Sequence, residues 1–117
     1  MSNIVQVIAR VTVPELSTAV PFYQELGGAE AASTFQYAGV HLASVSPFLL
    51  LSGDRAAEFS DRRATLVVRD LTPVTSALRR AGGQVLDGPA PGPSGPRMIA
   101  RHPDGAVFEY IELPRQD

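Results

Sequence analysis

The sequence predicts an α+β fold built from two copies of one strand–helix–strand–strand–strand module. Three observations carry that reading. Alternating apolar residues rich in β-branched side chains mark a strand at the start and another near the middle of the chain. Each strand runs into a helical pattern closed by a Gly-Gly pair. The markers also recur at one spacing: Val13, Glu15, Leu16, Gly27 and Gly28 are answered 55 residues later by Val68, Asp70, Leu71, Gly82 and Gly83. A strand end, a helix start and a helix stop that share one offset indicate internal duplication.

The elements follow in order. In IVQVIARVTV (4–13), Val5, Val7, Ala9, Val11 and Val13 form an apolar face that should meet helices. Ile4, Gln6, Ile8, Arg10 and Thr12 form a mixed face suited to a groove. PELSTAVPFYQELGG then places Leu16, Val20, Tyr23 and Leu26 on one helical side. Pro21 fits if Ser17 or Thr18 caps the helix and the proline lies in the first turn; otherwise the helix kinks there. Three short strands are expected near Ala31–Phe35, Val40–Ala43 and Phe48–Ser52, separated by Ala38-Gly39 and Ser46-Pro47. GDRAAEFSDR (53–62) is a connector. ATLVVRD opens the second copy. Its helix, LTPVTSALRRAGG, is expected to be capped by Thr72 with Pro73 at the first helical position, and to bury Val74, Leu78 and Ala81. QVLDG, the stiff loop PAPGPSGP (89–96), RMIAR, the turn HPDG and AVFEYIEL complete it. The expected organisation is a single domain over 1–117, with module one at about 3–52, the connector at 53–62 and module two at about 63–113.

Composition narrows the chemistry. The 117 residues include no cysteine, which excludes disulfide scaffolds, thiolate metal sites and cysteine nucleophiles. Among the ten basic residues there is no lysine, so Schiff-base chemistry is excluded as well. The net charge of −2 is scattered along the chain, which argues against nucleic acid and anionic membranes as partners. The start lacks a basic segment with a cleavage site, and no apolar run is long enough to cross a bilayer, so the expected location is cytoplasmic. No G-x-S-x-G, GxGxxG or phosphate-binding glycine loop occurs.

In order and spacing, FYQELGG (22–28), the D-L…AGG of 70–83 and PDGAVFEYIE (103–112) resemble the vicinal oxygen chelate superfamily over roughly Ile4 to Leu113. That superfamily holds glyoxalases, bleomycin-type resistance proteins, fosfomycin-modifying enzymes and extradiol dioxygenases. The resemblance implies two βαβββ modules forming a cup-shaped mixed sheet with helices packed outside, a homodimer, and a divalent metal held by His, Glu or Gln on the first and last strands of each module. Carried onto this chain, the first-strand positions are Ile8 and Arg63, and the last-strand positions are Leu50 and Glu109. Three of the four offer no donor, and a guanidinium repels a cation. No metal and no other cofactor is therefore expected. A slip of two residues would bring in Gln6, which still leaves too few ligands.

The remaining candidates carry two readings each. Glu109, between Val107 and Ile111 on its face, is either a ligand-binding acid or general base, or a carboxylate paired with Arg63 or Arg10. Arg10 is an anion anchor or a rim arginine. His41 is a packed or rim histidine, or an acid–base group, and His102 is turn chemistry. Alternation from Glu109 turns Phe108 and Tyr110 toward the helices and leaves Phe35, Tyr37, Phe48 and Met98 as cavity lining. Loop 88–96 is a rigid connector or a lid. The function this implies is metal-independent binding or sequestration of a hydrophobic or aromatic small molecule, of antibiotic-resistance type. The alternative is an enzyme of the same superfamily, either a metal-dependent lyase or dioxygenase, or a metal-independent isomerase or cyclase using Glu109 or His41.

Overall fold

The computed structural model describes residues 2–28 and 30–114. Its elements are β1 (Ile4–Thr12), α1 (Leu16–Gly27), β2 (Ser33–Tyr37), β3 (Val40–Val45), β4 (Phe48–Ser52), a 3-10 turn (Ala56–Phe59), β5 (Arg62–Val68), α2 (Leu71–Ala81), β6 (Gln84–Ala90), β7 (Arg97–Arg101) and β8 (Val107–Glu112). This is the βαβββ order twice, as the repeat predicts. The chain divides into two compact units. The first is Ile8–Asp61. The second takes Arg62 onward together with the N-terminal residues through Val7, so β1 contributes to both.

In the first unit the strand order is β2-β3-β4-β1. β2, β3 and β4 are antiparallel neighbours, and β1 runs parallel to β4 with Arg10 opposite Leu49 and Thr12 opposite Leu51. One sheet face packs Val13, Ala43, Val45 and Leu50 against Leu16, Ala19, Val20 and Tyr23 of α1. The other face carries Val40, Leu42 and Leu51, and the connector's own 3-10 turn covers it with Ala56 and Phe59.

In the second unit the order is β5-β8-β7-β6. β5 and β8 are parallel, which is what a helix crossover allows, and β8, β7 and β6 are antiparallel. Leu66, Val68, Met98, Ala100 and Tyr110 pack beneath Leu71 and Leu78 of α2. The start of β1 is tied to this unit by Asn3, whose carbonyl accepts the Arg69 N–H at 2.9 Å and whose side-chain amide donates to the Asp70 carbonyl at 2.9 Å.

The duplication is visible in the backbone. Glu15 and Asp70 both stand at helix N-caps with nearly the same dihedrals, φ −152°, ψ 127° and φ −151°, ψ 129°. The caps correct two expectations. Asp70, not Thr72, caps α2: its carboxylate accepts the Thr72 N–H at 2.9 Å, so Pro73 falls in the third helical position, where its missing N–H costs nothing. In α1 the helix begins before Ser17 and Thr18, and Pro21 lies inside it. The proline therefore leaves the Ser17 carbonyl without its usual helical donor. The two helices stop alike. Gly28 closes α1 and Gly82 closes α2, each in the left-handed conformation that glycine adopts without steric cost.

Burial departs from the periodicity at the edges. Leu26 is 61% exposed and Val7 58% exposed, so the apolar stripes of α1 and β1 are covered only in part.

Candidate functional site

The second unit gathers a polar cluster on the sheet face opposite α2. Register places it there. Glu109 lies directly across from Thr65 of β5 on one side and Ile99 of β7 on the other, while Arg97, two residues before Ile99, reaches Glu109 on the diagonal. Alternation sends Leu66, Met98, Ala100, Phe108 and Tyr110 to the α2 core, as expected for Phe108 and Tyr110.

The contacts are specific. Thr65 Oγ1 donates to Glu109 Oε1 at 2.8 Å. Arg97 Nε lies 3.4 Å from Glu109 Oε2, and Arg97 Nη1 lies 3.5 Å from Asp87 Oδ2. The Arg97 and Glu109 side chains are only 11% and 13% exposed, whereas Asp87 is 66% exposed. The pair thus sits where water solvates neither charge well, and Asp87 closes the rim. β6 runs on to Ala90, past the expected strand end at Gly88, and the loop that follows it, 91–96, helps to hold Arg97. Gly92 lies so close to its aliphatic stem that a Cβ there would come within 2.7 Å of Arg97 Cδ. The loop acts as a packed cover for this arginine.

The expected pairing of Glu109 with Arg63 is corrected by this geometry. Arg63 is exposed, and Arg97 places a guanidinium beside Glu109. The physical reason is an irregularity in the β5–β8 register between Arg62 and Thr65. A bulge there absorbs an extra residue and resets which side chains face β8. Sequence reading does not single out Thr65, Arg97 or Asp87. The alternation of Arg97 and Ile99 with Met98 and Ala100 in RMIAR is the signal that could have found Arg97.

In the first unit, Arg10 and Phe35 share the face opposite α1, and Arg10 Nη2 donates to the Phe59 carbonyl at 3.3 Å. Arg10 therefore holds the connector. Ile8 is half-buried on β1, Tyr37 is exposed at the end of β2, and His41 is exposed on β3. Three cavity candidates face the other way. Leu50 is fully buried under α1, and Phe48 packs there against Tyr23, with ring centroids 4.8 Å apart. Met98 is fully buried under α2. The parity error at β4 has a simple form: Arg10 opposes Leu49 in one module where Thr65 opposes Glu109 in the other, so Leu49, not Leu50, is the counterpart of Glu109.

His102 is also reassigned. It is half-buried, stacks on Phe108 at 4.4 Å, and its Nε2 lies 2.7 Å from the Tyr110 hydroxyl. Burial raises the pKa of that tyrosine above its ordinary 10.0.

The residues present do not fit a divalent metal. Glu109 is the one donor at the four positions, its oxygens face a hydroxyl and a guanidinium, and its counterpart Leu49 is apolar. Among the described residues no three His, Asp or Glu side chains come together in a metal-holding group.

No family model and no curated protein matches the chain by sequence. A solved structure does. An uncharacterized protein from Methanosarcina mazei is 34% identical, with a TM-score of 0.88 over 99% of this chain and 98% of that one. The two proteins belong to one family. Beyond that family the likeness is of fold. Methylmalonyl-CoA epimerase from Mycobacterium tuberculosis is 19% identical, with a TM-score of 0.72 over 98% of this chain and 92% of that one. A variant of the Streptomyces coelicolor methylmalonyl-CoA epimerase in complex with 2-nitronate-propionyl-CoA is 20% identical, with a TM-score of 0.66 over 94% of this chain and 99% of that one. The fold shared with these epimerases is the vicinal oxygen chelate fold.

Proposed function

We propose that this protein binds a small molecule without a metal ion and sequesters it, as resistance members of the superfamily do, from a cytoplasmic homodimer. The observation that carries the reading is the guanidinium at Glu109. Arg97 supplies beside the carboxylate the positive charge that a metal would otherwise supply, and the strand neighbour of Glu109 on β7 is the apolar Ile99. On this reading Arg97 and Glu109 orient a polar group of the ligand, and the half-buried Ile111 presents apolar surface on the same face. In the first unit Phe35 and Tyr37 offer aromatic surface on β2. Burying about 200 Å² of apolar ligand surface would contribute roughly 5 kcal/mol, so burial outweighs the polar contacts, which serve to orient the ligand.

The test is a thermal-shift screen of aromatic natural products, run with and without EDTA. A binder at one hundred times its Kd should add about 2.7 kcal/mol to the stability, and EDTA should change nothing. Stoichiometric nickel, zinc, iron or manganese in the purified protein would overturn the proposal.

A second reading has one observation in its favour. Thr65 fixes one oxygen of Glu109 in a water-poor position, the arrangement a general acid–base carboxylate requires, and the fold is shared with methylmalonyl-CoA epimerases. Glu109→Gln separates the readings: loss of turnover with retained binding favours the enzyme.

A further inference from the structure

The second unit holds an open surface groove of about 400 Å³ on the opposite side of the sheet from Glu109. Val74, Ala77, Leu78 and Ala81 of α2 line it, with Ile4 and Tyr110. Its origin is local. Ala77 and Ala81 stand one helical turn apart and leave a hollow where larger side chains would reach the HPDG turn. Leu78 and Tyr110, each nearly fully buried, give it a hydrophobic floor, and Ile4 remains 43% exposed beside it.

One polar pair faces this apolar lining. His102 Nε2 and the Tyr110 hydroxyl, 2.7 Å apart, share a single hydrogen. Whichever of the two donates, the phenolic oxygen keeps the capacity for one further hydrogen bond. Asn3, the other polar side chain of the lining, is tied to Asp70, its amide donating at 2.9 Å and accepting at 3.1 Å. Among the described residues no Asp, Glu or Arg lines the hollow, so an ionised ligand would lose hydration with nothing to replace it. A hydroxyl both donates and accepts, and therefore suits the shared hydrogen in either arrangement.

We infer that this hollow binds an elongated, uncharged apolar molecule ending in a hydroxyl, of the alkylphenol class, with the hydroxyl on the His102–Tyr110 pair and the chain along α2. The site is separate from Glu109 and does not depend on the function proposed there.

The experiment is a titration of the full chain with 4-propylphenol, followed by backbone amide NMR. Saturable shifts confined to Asn3, Ile4, α2, residues 102–106 and Tyr110 are expected. Ala77→Phe should fill the hollow and weaken binding at least about tenfold, since a clash excludes more than a lost contact does. Ala81→Met, on the same exposed line, serves if the first variant folds poorly. Propylbenzene should bind about fivefold more weakly than the phenol, the worth of one neutral hydrogen bond. The inference is overturned if no saturable shift occurs, if the shifts centre on β7 and β8 residues facing Glu109, if Ala77→Phe and Ala81→Met both bind as tightly as the native chain, or if propylbenzene binds equally well. Shifts of α2 that follow protein concentration rather than the phenol would assign the hollow to a second copy, and would overturn it too.

Discussion

Removing Arg97 tests the central feature of the site. In Arg97→Met the side chain keeps an apolar stem against Gly92 but loses its charge. Glu109, 13% exposed, then loses the Arg97 charge at a place where it cannot recover its full hydration, while the Thr65 hydroxyl bond remains. Breaking a buried ion pair from one side costs about 3–5 kcal/mol. The 3.4 Å separation and the retained Thr65 bond place this case at the lower end, at about 3 kcal/mol. Glu109→Leu strands the guanidinium near the more exposed Asp87 and should cost about 2 kcal/mol. The double variant removes both charges together. Replacing a buried pair by apolar side chains is often close to neutral, so its cost should fall well below the sum of the two singles, with a coupling of about 2 kcal/mol or more. Urea unfolding of the four proteins at neutral pH measures the cycle directly. A coupling below about 0.5 kcal/mol would show that the two groups do not sense one another and would refute the role given to Arg97.

Further outcomes follow from neighbouring contacts. Asp87→Asn should change stability by no more than about 0.5 kcal/mol, because a largely solvated pair contributes little; the same urea series checks this. Gly88→Ala should destabilise by about 2 kcal/mol or more, since the added Cβ would meet the Arg97 carbonyl oxygen at 2.5 Å and the residue holds φ at +83°. Leu50→Ala should cost about 2–5 kcal/mol by opening a cavity beneath α1, and Leu50→His should fail to create a nickel site in equilibrium dialysis because that side chain faces the helix. Tyr110 yields an alkaline signature. Its folded pKa is raised, so the unfolded chain ionises first. The stability from this group is present below pH 10.0 and declines as pH climbs from there through the folded value. Unfolding midpoints across the alkaline range around that value should show the slope in the native chain and lose it in Tyr110→Phe.

Much of this protein is legible in the chain alone. The 55-residue repeat announces two equivalent modules, and the paired N-caps at Glu15 and Asp70 repeat its dihedrals. That works because caps, glycine stops and period-two strands are local signals, each encoded within a few residues of where it acts. The chemistry at Glu109 is legible in part, since none of the three consecutive leucines at 49–51 offers a donor, whatever the register.

Only the tertiary structure decided which side chains meet. The β5–β8 register is irregular between Arg62 and Thr65, and Thr65, not Arg63, lies across from Glu109. A one-residue difference in β4 sent Leu50 and Phe48 under α1 and left Leu49 opposite Arg10. Side-chain direction in a strand reverses with every residue, so an offset of one carries each group to the other face, and nothing local marks where such an offset falls. Arg97 and Glu109 are twelve residues apart and have no shared motif; they meet because two antiparallel strands align them, a fact that belongs to the sheet and to no segment of the chain.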